Sequence, residues 1–459
     1  MLVNEKIFKA YDIRGIYPTE LNEEIIFAIT KAIYTFFAKK LNKKHLSIVL
    51  GYDMRLSGPP LVEQVKKALL SYDIEIIDVG LVSTPTFYFT VSHYGFDGGI
   101  QVSASHNPKE YNGMKFVMNS PSGLIKIGRT TGIDEVKEMT MLQSFFPPAN
   151  NGKITKKEAV LKDEVKEAYS VVKPGEIKPL KVVADAANAM GALYLDELFS
   201  NLPCELTRLN FTLDGTFPVH QPNPLEFDTL TELRKKVVTE KADLGIAPDG
   251  DGDRVFFIDE MGEVVPASVI TALVIKELLT KYPKEKVAFD IRSTWTPLKA
   301  ARDYGGIPII TPVGHALITD VMHKEHALFA GESSGHYYFR ATGNAESSVS
   351  VILIVLDVMS RLGKPLSEIL KPFFASVESG ERNFKLKDKE VIHAKLQVLK
   401  ETYKDGELNE LDGVSIEYPT WRCNVRSSNT EPLLRLNLEA QTKEEMEQKV
   451  KELTTLVTA

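Results

Sequence analysis

The sequence runs to 459 residues, more than one hydrophobic core usually organises, so roughly three or four domains are expected. Hydrophobic residues make up 43% and charged residues 25%, the balance of a globular chain able to bury a core. A formal net charge of -7 gives no overall attraction to nucleic acid or to an anionic membrane, so an anionic ligand must be held by local clusters.

The opening stretch MLVNEKIFKAYDIRG carries charge early and lacks the apolar core of a secretory signal. A helix is expected over 21–41, where Ile25, Ile29, Ile33 and Phe37 recur at every fourth position. Residues 46–53 then read as a buried strand, 60–70 as a helix, and 74–79 as a second strand ending in Ser83-Thr84-Pro85, a βαβ unit on a parallel sheet. The same grammar returns twice. A strand over 181–185 precedes a helix to about 198 and a strand over 205–209, and a strand over 286–290 precedes a helix near 298–304 and a strand over 307–310. Aliphatic strands closing on Asp53, Asp185 and Asp290 predict three related α/β domains.

Breaker residues over 145–152, Pro174-Gly175, and a hairpin over 255–265 that turns at Met261-Gly262 mark the boundaries. The most apolar run, 349–358, is too short to span a bilayer and is interrupted by Asp357. From about Pro372 the chain becomes rich in Lys and Glu, with strands over 414–418 and 433–439. A closing helix starts on the capping-box pair Thr442 and Glu445, so a smaller α+β domain is expected. The predicted division is 1–150, 151–259, 260–371 and 372–459. Cys204 and Cys423 lack metal-type spacing, and a cytoplasmic enzyme without nucleic-acid or membrane partners is expected.

Four loops carry the chemistry. In the first, SASHNP at 103–108, Ser105 stands where the strand 98–102 gives way to turn signals at Asn107-Pro108 and Tyr111-Asn112-Gly113. An exposed hydroxyl there, beside His106 and ahead of Lys115, is a nucleophile or phosphate carrier, or else it caps a turn. In the second, Asp249, Asp251 and Asp253 alternate with Gly250 and Gly252 and lead to Arg254. Carboxylates on so flexible a backbone can enclose one hard cation, with Mg²⁺ the natural choice. An EF-hand reading fails because the chain enters from an apolar strand and lacks the closing Glu, and a bare acidic turn would be costly in repulsion. The third loop, GESSGH at 331–336, offers a carboxylate, hydroxyls and an imidazole suited to the vicinal hydroxyls of a sugar, or forms a surface turn. The fourth, RSSNTEP at 426–432, sets an arginine fork beside hydroxyl and amide donors that match phosphate, or is a polar loop between strands.

With FKAYDIRG at 8–15, these loops resemble, in order and spacing, the motifs of the α-D-phosphohexomutase superfamily in its phosphomannomutase/phosphoglucomutase branch. The resemblance implies three related mixed α/β domains and a C-terminal α+β domain around a central cleft, each giving one loop. It implies that Ser105 is phosphorylated, that Asp249, Asp251 and Asp253 hold Mg²⁺ with a phosphoserine oxygen, and that Glu332 and Ser334 read sugar hydroxyls. Arg426, Ser428, Asn429 and Thr430 would bind the non-transferred phosphate. Arg14, Lys115, Arg254 and His315 fall at positions that contact substrate or assist proton transfer, with Lys115 the first candidate for general acid/base and His315 the second. Tyr11, Arg292 and His336 are expected among the substrate-binding residues. Arg292 stands where relatives often carry lysine, and Met54 replaces a small residue after Asp53, so a local packing change is expected there.

The implied reaction interconverts hexose 1-phosphate and hexose 6-phosphate, of mannose or glucose, through phospho-Ser105 and a hexose 1,6-bisphosphate that also serves as activator. A monomer or weak homo-oligomer is expected. Phosphoglucosamine mutase is the runner-up, although that branch opens on a segment closer to FGTDGIRG. A metal-dependent sugar phosphatase is the rival of another class, and the second phosphate loop at Arg426 argues against it. A non-catalytic sugar-phosphate sensor would tolerate loss of the metal aspartates, and all three are present.

Overall fold

A computed structural model of the chain describes residues 3–427 and 433–458. The chain forms two compact units, one from Met1–Val265 and His336–Ile369, the other from Pro266–Gly335 and Leu370–Ala459.

The first unit holds two sheets. In one, the strands run in the order Ile13–Ile16, Tyr111–Ser120, Gly98–Val102, Leu46–Tyr52, Ile74–Leu81 and Lys153–Lys156, with Gly123–Lys126 on the side of Tyr111–Ser120. Leu46–Tyr52 pairs in parallel with both Ile74–Leu81 and Gly98–Val102, as the βαβ reading requires. The helix Glu23–Leu41 starts on Asn22, whose side chain accepts the Ile25 N–H, and buries Ile25, Ile29, Ile33 and Phe37. The breaker run leads back to this sheet, since Lys153–Lys156 pairs with Ile74–Leu81.

Two local readings change. Asn112-Gly113 is not a turn but lies within the strand Tyr111–Ser120, opposite Gly15 and Arg14. A Cβ on Gly113 would stand 2.1 Å from the Ile13 carbonyl oxygen, so this glycine permits close strand approach. That pairing brings the FKAYDIRG segment onto the strand that carries Lys115. Ser83-Thr84-Pro85 does not simply end a strand. The Ser83 hydroxyl accepts the Thr86 N–H at 3.2 Å and starts the helix Thr84–His93.

The second sheet of this unit runs Val264–Val265, Val255–Ile258, Leu244–Pro248, Lys181–Asp185, Glu205–Leu209. Leu244–Pro248 and Val255–Ile258 form an antiparallel hairpin with Pro248 opposite Val255, so the acidic loop is its tip. The apolar run 349–358 lies in the helix Ser348–Leu362, whose residues are buried through Ser360. Asp357 there accepts the Gly175 N–H at 2.7 Å, tying down the lead-in to the second sheet. No helix among the described residues is long and apolar enough to cross a membrane.

In the second unit, Lys286–Asp290 pairs in parallel with Ile307–Thr311 and Phe329–Gly331. Residues after Ile369 build an antiparallel sheet, with the helices Lys389–Thr402 and Lys443–Thr458 packed against it around Leu399, Leu436 and Leu453. The sequence reading missed the strand Trp421–Ser427 in this sheet. Its alternation of Trp421, Cys423 and Val425 with Arg422, Asn424 and Arg426 has the strand period, but the polar face is buried as well. Glu439 explains why: its carboxylate accepts from Arg422 at 2.6 Å, from the Thr294 and Trp295 N–H groups at 2.8 and 3.1 Å, and from Ser376 at 3.0 Å. Arg422 also reaches the Ile291 carbonyl at 2.9 Å. These bonds join the two segments of the unit through groups that water does not reach.

The strand-ending aspartates do one job three times. Each accepts the N–H two residues on: Arg55 on Asp53 at 3.1 Å, Ala187 on Asp185 at 3.0 Å, and Arg292 on Asp290 at 2.8 Å. The repetition is of a turn as well as of a strand.

Glu164 lies buried in the first unit, accepting from Thr86 at 2.5 Å, and burial pushes its carboxyl up from 4.5 to about 7. The folded chain holds this proton at a pH where the unfolded chain releases it. The contribution of this group to stability is therefore fully present below about 4.5, declines as pH rises, and is lost above about 7. Glu164→Gln should remove on the order of 3 kcal/mol of that decline. Unfolding midpoints of both proteins on either side of that window measure it.

Candidate active site

Ser105 sits at the end of the strand Gly98–Val102 with φ of +50°, a left-handed conformation that costs a non-glycine residue about 1 kcal/mol. Its hydroxyl is not exposed: Ser105 keeps 3% of its surface. The reason is the acidic loop, which covers it. Ser105 Oγ donates to Asp249 Oδ2 at 3.1 Å and lies 3.1 Å from His106 Nδ1. Burial, then the Arg254 and Arg14 charges, hold His106 well below the usual imidazole range.

The acidic loop is not a solvated turn. Asp249, Asp251 and Asp253 are buried, and their oxygens lie within 4.8 Å of one another. Asp249 Oδ1 accepts the N–H groups of Gly252 at 3.0 Å and Arg254 at 3.2 Å, so the hairpin tip wraps around its first carboxylate. Asp251 Oδ2 accepts from Thr84 Oγ1 at 2.6 Å, and Lys115 Nζ bonds Asp251 at 2.5 Å and Asp253 at 2.7 Å. His336 Nε2 lies 3.1 Å from Asp253 and 3.3 Å from Arg254 Nε.

The charges settle unevenly. Burial, then Asp253 and Asp251, push Asp249 up to about 7. Burial works against ionised Asp253 too, but Lys115 and His336 hold it well below the usual carboxylate range. Burial alone would lower Lys115, and Asp251 with Asp253 overcome it to hold the ammonium well above its ordinary value. Asp251 Oδ1 is buried with no hydrogen-bond partner. An orphaned carboxylate oxygen among three convergent hard donors fits a small divalent cation such as Mg²⁺. Arg14 donates to both Asp12 and Asn107 Oδ1, so it meets the serine loop without touching Ser105. Tyr11 is half-buried just ahead of the strand Ile13–Ile16.

The second unit assembles its own cluster. Arg292 reaches Asp290 at 2.9 Å, Glu332 at 3.0 Å and Ser334 at 3.4 Å, and the Ser333 N–H donates to Asp290 at 2.5 Å. Glu381, which the sequence reading did not single out, accepts from Arg426 at 2.5 Å and pairs with Arg435 at 3.3 Å and Arg292 at 3.7 Å. Arg426 is therefore a buried strand residue rather than part of an open loop. His315 is the first residue of the helix His315–Glu325. Ser428, Asn429 and Thr430 lie outside the described residues. Of the loop 331–336, Glu332 and Ser334 belong to this unit and His336 to the first.

Two residues that bond the acidic loop and the serine loop also escaped the sequence reading as site residues. Thr84 could be suspected only from the N-cap signal of its helix. Arg55, which bonds the serine loop, repeats the Asp-x-Arg spacing of Asp290 and Arg292. The change expected at Met54 shows only as close packing: Met54 is half-buried and a Cβ on Gly215 would come within 2.6 Å of its carbonyl oxygen.

Models of all four phosphoglucomutase/phosphomannomutase segments match the chain: α/β/α domain I over 5–134, II over 162–262, III over 267–377, and the C-terminal domain over 377–456. A phosphomannomutase of Vibrio cholerae is 36% identical over 98% of both chains. A protein of Xanthomonas campestris described as phosphohexose mutases is 38% identical over 94% of both. The crystal structure of a phosphoglucomutase/phosphomannomutase family protein from Burkholderia thailandensis superposes with a TM-score of 0.88 at 28% identity, covering 99% of this chain and 98% of that one. Fold and relatives define a phosphohexomutase, an isomerase that acts as an intramolecular phosphotransferase. The chain belongs to the phosphoglucomutase/phosphomannomutase family.

A Cβ on Gly250 would stand 2.4 Å from the Ser105 carbonyl oxygen. Gly250→Ala should therefore force the acidic loop off the serine, lowering stability by about 2 kcal/mol and mutase turnover by more than the loss of folded protein explains. Denaturant melts alongside kcat measured per folded molecule give both quantities.

Proposed function

We propose that Ser105 is the phosphoryl carrier of a mutase interconverting the 1- and 6-phosphates of mannose and glucose. The observation that carries this reading is the buried Ser105 hydroxyl, 3.1 Å from an aspartate of a cation-suited carboxylate cluster. Phospho-Ser105 gives its phosphoryl group to the free O1 or O6 of a hexose monophosphate, the Ser–O–P bond breaking as the sugar–O–P bond forms. The resulting 1,6-bisphosphate, once reoriented, returns its other phosphoryl group to Ser105. The names of the phosphomannomutase relatives support mannose.

Asp249, Asp251 and Asp253 would hold Mg²⁺, which when bound neutralises the cluster and polarises the phosphoryl group. Lys115 enters as a protonated ammonium, so it serves first as an acid and as a compensating cation. His315 is kept as the second acid/base candidate. Arg14, Tyr11, Arg254 and His336 would contact substrate from the first unit's residues. Arg292, Glu332 and Ser334 would read sugar hydroxyls near the pseudo-symmetry axis of the substrate, where one set of contacts serves both orientations. Arg426 with Ser428, Asn429 and Thr430 would take the phosphate that stays in place. In this reading the segments 1–150, 151–259, 260–371 and 372–459 each bring one of these tasks.

Ser105→Ala, supplied with hexose 1,6-bisphosphate, should lose turnover by about 10³-fold or more on mannose, glucose and glucosamine phosphates alike. Retained turnover in a coupled assay would remove Ser105 as carrier, and the ranking of the three sugars in the unaltered protein names the substrate. Asp251→Asn should weaken Mg²⁺ binding by about 10-fold or more, read by calorimetry on the unphosphorylated protein.

A further inference from the structure

Arg55 lies three residues beyond the strand Leu46–Tyr52 and is 1% exposed. Every N–H of its guanidinium is used. Nε donates to Asp53 Oδ2 at 3.2 Å, Nη1 to the carbonyl oxygens of Pro108 at 2.7 Å and Tyr111 at 2.9 Å, and Nη2 to those of Ser105 at 2.7 Å and Asn107 at 2.6 Å. Its face lies over the Phe217 ring, 5.2 Å from the centroid. Apart from Asp53, every acceptor is a backbone carbonyl of one segment, 105–111, so the side chain gathers the serine loop onto a single planar fork.

The Ser105 carbonyl is the critical one. Ser105 adopts a left-handed conformation, and the oxygen that Arg55 holds is the oxygen against which Gly250 of the acidic loop packs. That one atom is therefore held from one side by Arg55 and packed against from the other by the loop that carries Asp249. A buried guanidinium with every donor occupied has none left for a substrate phosphate, so Arg55 acts through the loop.

We propose that Arg55 is a positioning residue for phosphoryl transfer, holding residues 105–111 in the conformation that presents the Ser105 hydroxyl to the acidic loop. This rests on the reading of Ser105 as phosphoryl carrier. A lysine carries a compact ammonium with no planar fork and cannot meet the same set of carbonyls.

The unaltered protein, Arg55→Lys, Arg55→Ala and Asp53→Asn are incubated with hexose 1,6-bisphosphate. Phosphorylation of Ser105 is followed by intact mass and peptide mapping, alongside kcat, KM and thermal unfolding. Arg55→Lys should lose about 100-fold in kcat and in the rate of Ser105 phosphorylation while KM stays near its original value, because loop misplacement affects the transfer step rather than substrate binding. Arg55→Ala should recover part of its lost turnover when guanidinium ion is added, which a general loss of stability would not allow. If Arg55→Lys does not fold, Asp53→Asn decides the matter through the same pattern at smaller size, since it loosens the grip on Nε while keeping an oxygen there. Unaltered kcat in the folded variant, or a fall in kcat matched by a rise in KM, overturns the proposal. Failure of the unaltered protein to take up phosphate on Ser105 overturns the carrier reading, and the proposal with it; uptake there with an unaffected Arg55→Lys overturns the proposal alone.

Discussion

Carboxylates buried within a few ångströms of one another repel strongly, and the first unit is arranged around that repulsion. Asp249, Asp251 and Asp253 occupy a single hairpin tip, where burial raises the cost of each charge and their proximity raises it further. Neighbouring elements bring compensation from far along the chain. Lys115 arrives on a strand of the other sheet, Thr84 at the start of a helix, and Ser348 donates to the Gly252 carbonyl at 2.9 Å from the start of another. The result is a cluster with one carboxyl held near neutrality, one held firmly ionised, and an oxygen left without a partner. Such a cluster is unbalanced as protein alone, and the oxygen of Asp251 left without a partner suits a small divalent cation.

The same backbone device serves different ends in its three copies. An aspartate at a strand end accepts the N–H two residues on, and the side chain at that second position is free to specialise. In the first copy Arg55 turns back to the serine loop. In the second the position is Ala187, and Asp185 instead meets His220 at 3.0 Å. In the third Arg292 turns to Glu332 and Ser334. The same strand and turn thus hold the loop that carries Ser105 in one copy and the loop that carries Glu332 and Ser334 in another.

The second unit answers a different constraint. Arg292, Arg426 and Arg435 crowd around Glu381, and Arg422 is matched by Glu439. Burial and the charges of its neighbours, Arg292 first, hold Arg426 below the usual guanidinium range, while its bond to Glu381 keeps it in place. Within this unit the buried ion pair of Arg422 with Glu439, bonded in turn to the turn after Asp290, joins the segments Pro266–Gly335 and Leu370–Ala459.

Periodicity and turn chemistry alone placed the repeated strands, the acidic loop and a candidate serine just beyond a strand end, because these depend on residues close together in the chain, whereas the choice between a phosphate carrier and a turn cap at Ser105 drew on the resemblance of all the loops together. Alternating glycines and carboxylates give a flexible acidic loop wherever they fold, and an aliphatic strand ending on aspartate is visible three times over. The sequence could not show that Ser105 is buried, that Gly113 permits strand pairing instead of a turn, or that the polar face of Trp421–Ser427 is enclosed. Each of those depends on which distant segment lies opposite. Arg55 is the plainest case: its neighbours in sequence mark only the end of a strand, and the positioning role proposed for it follows from four carbonyl oxygens fifty or more residues away that tertiary folding carries within hydrogen-bond reach.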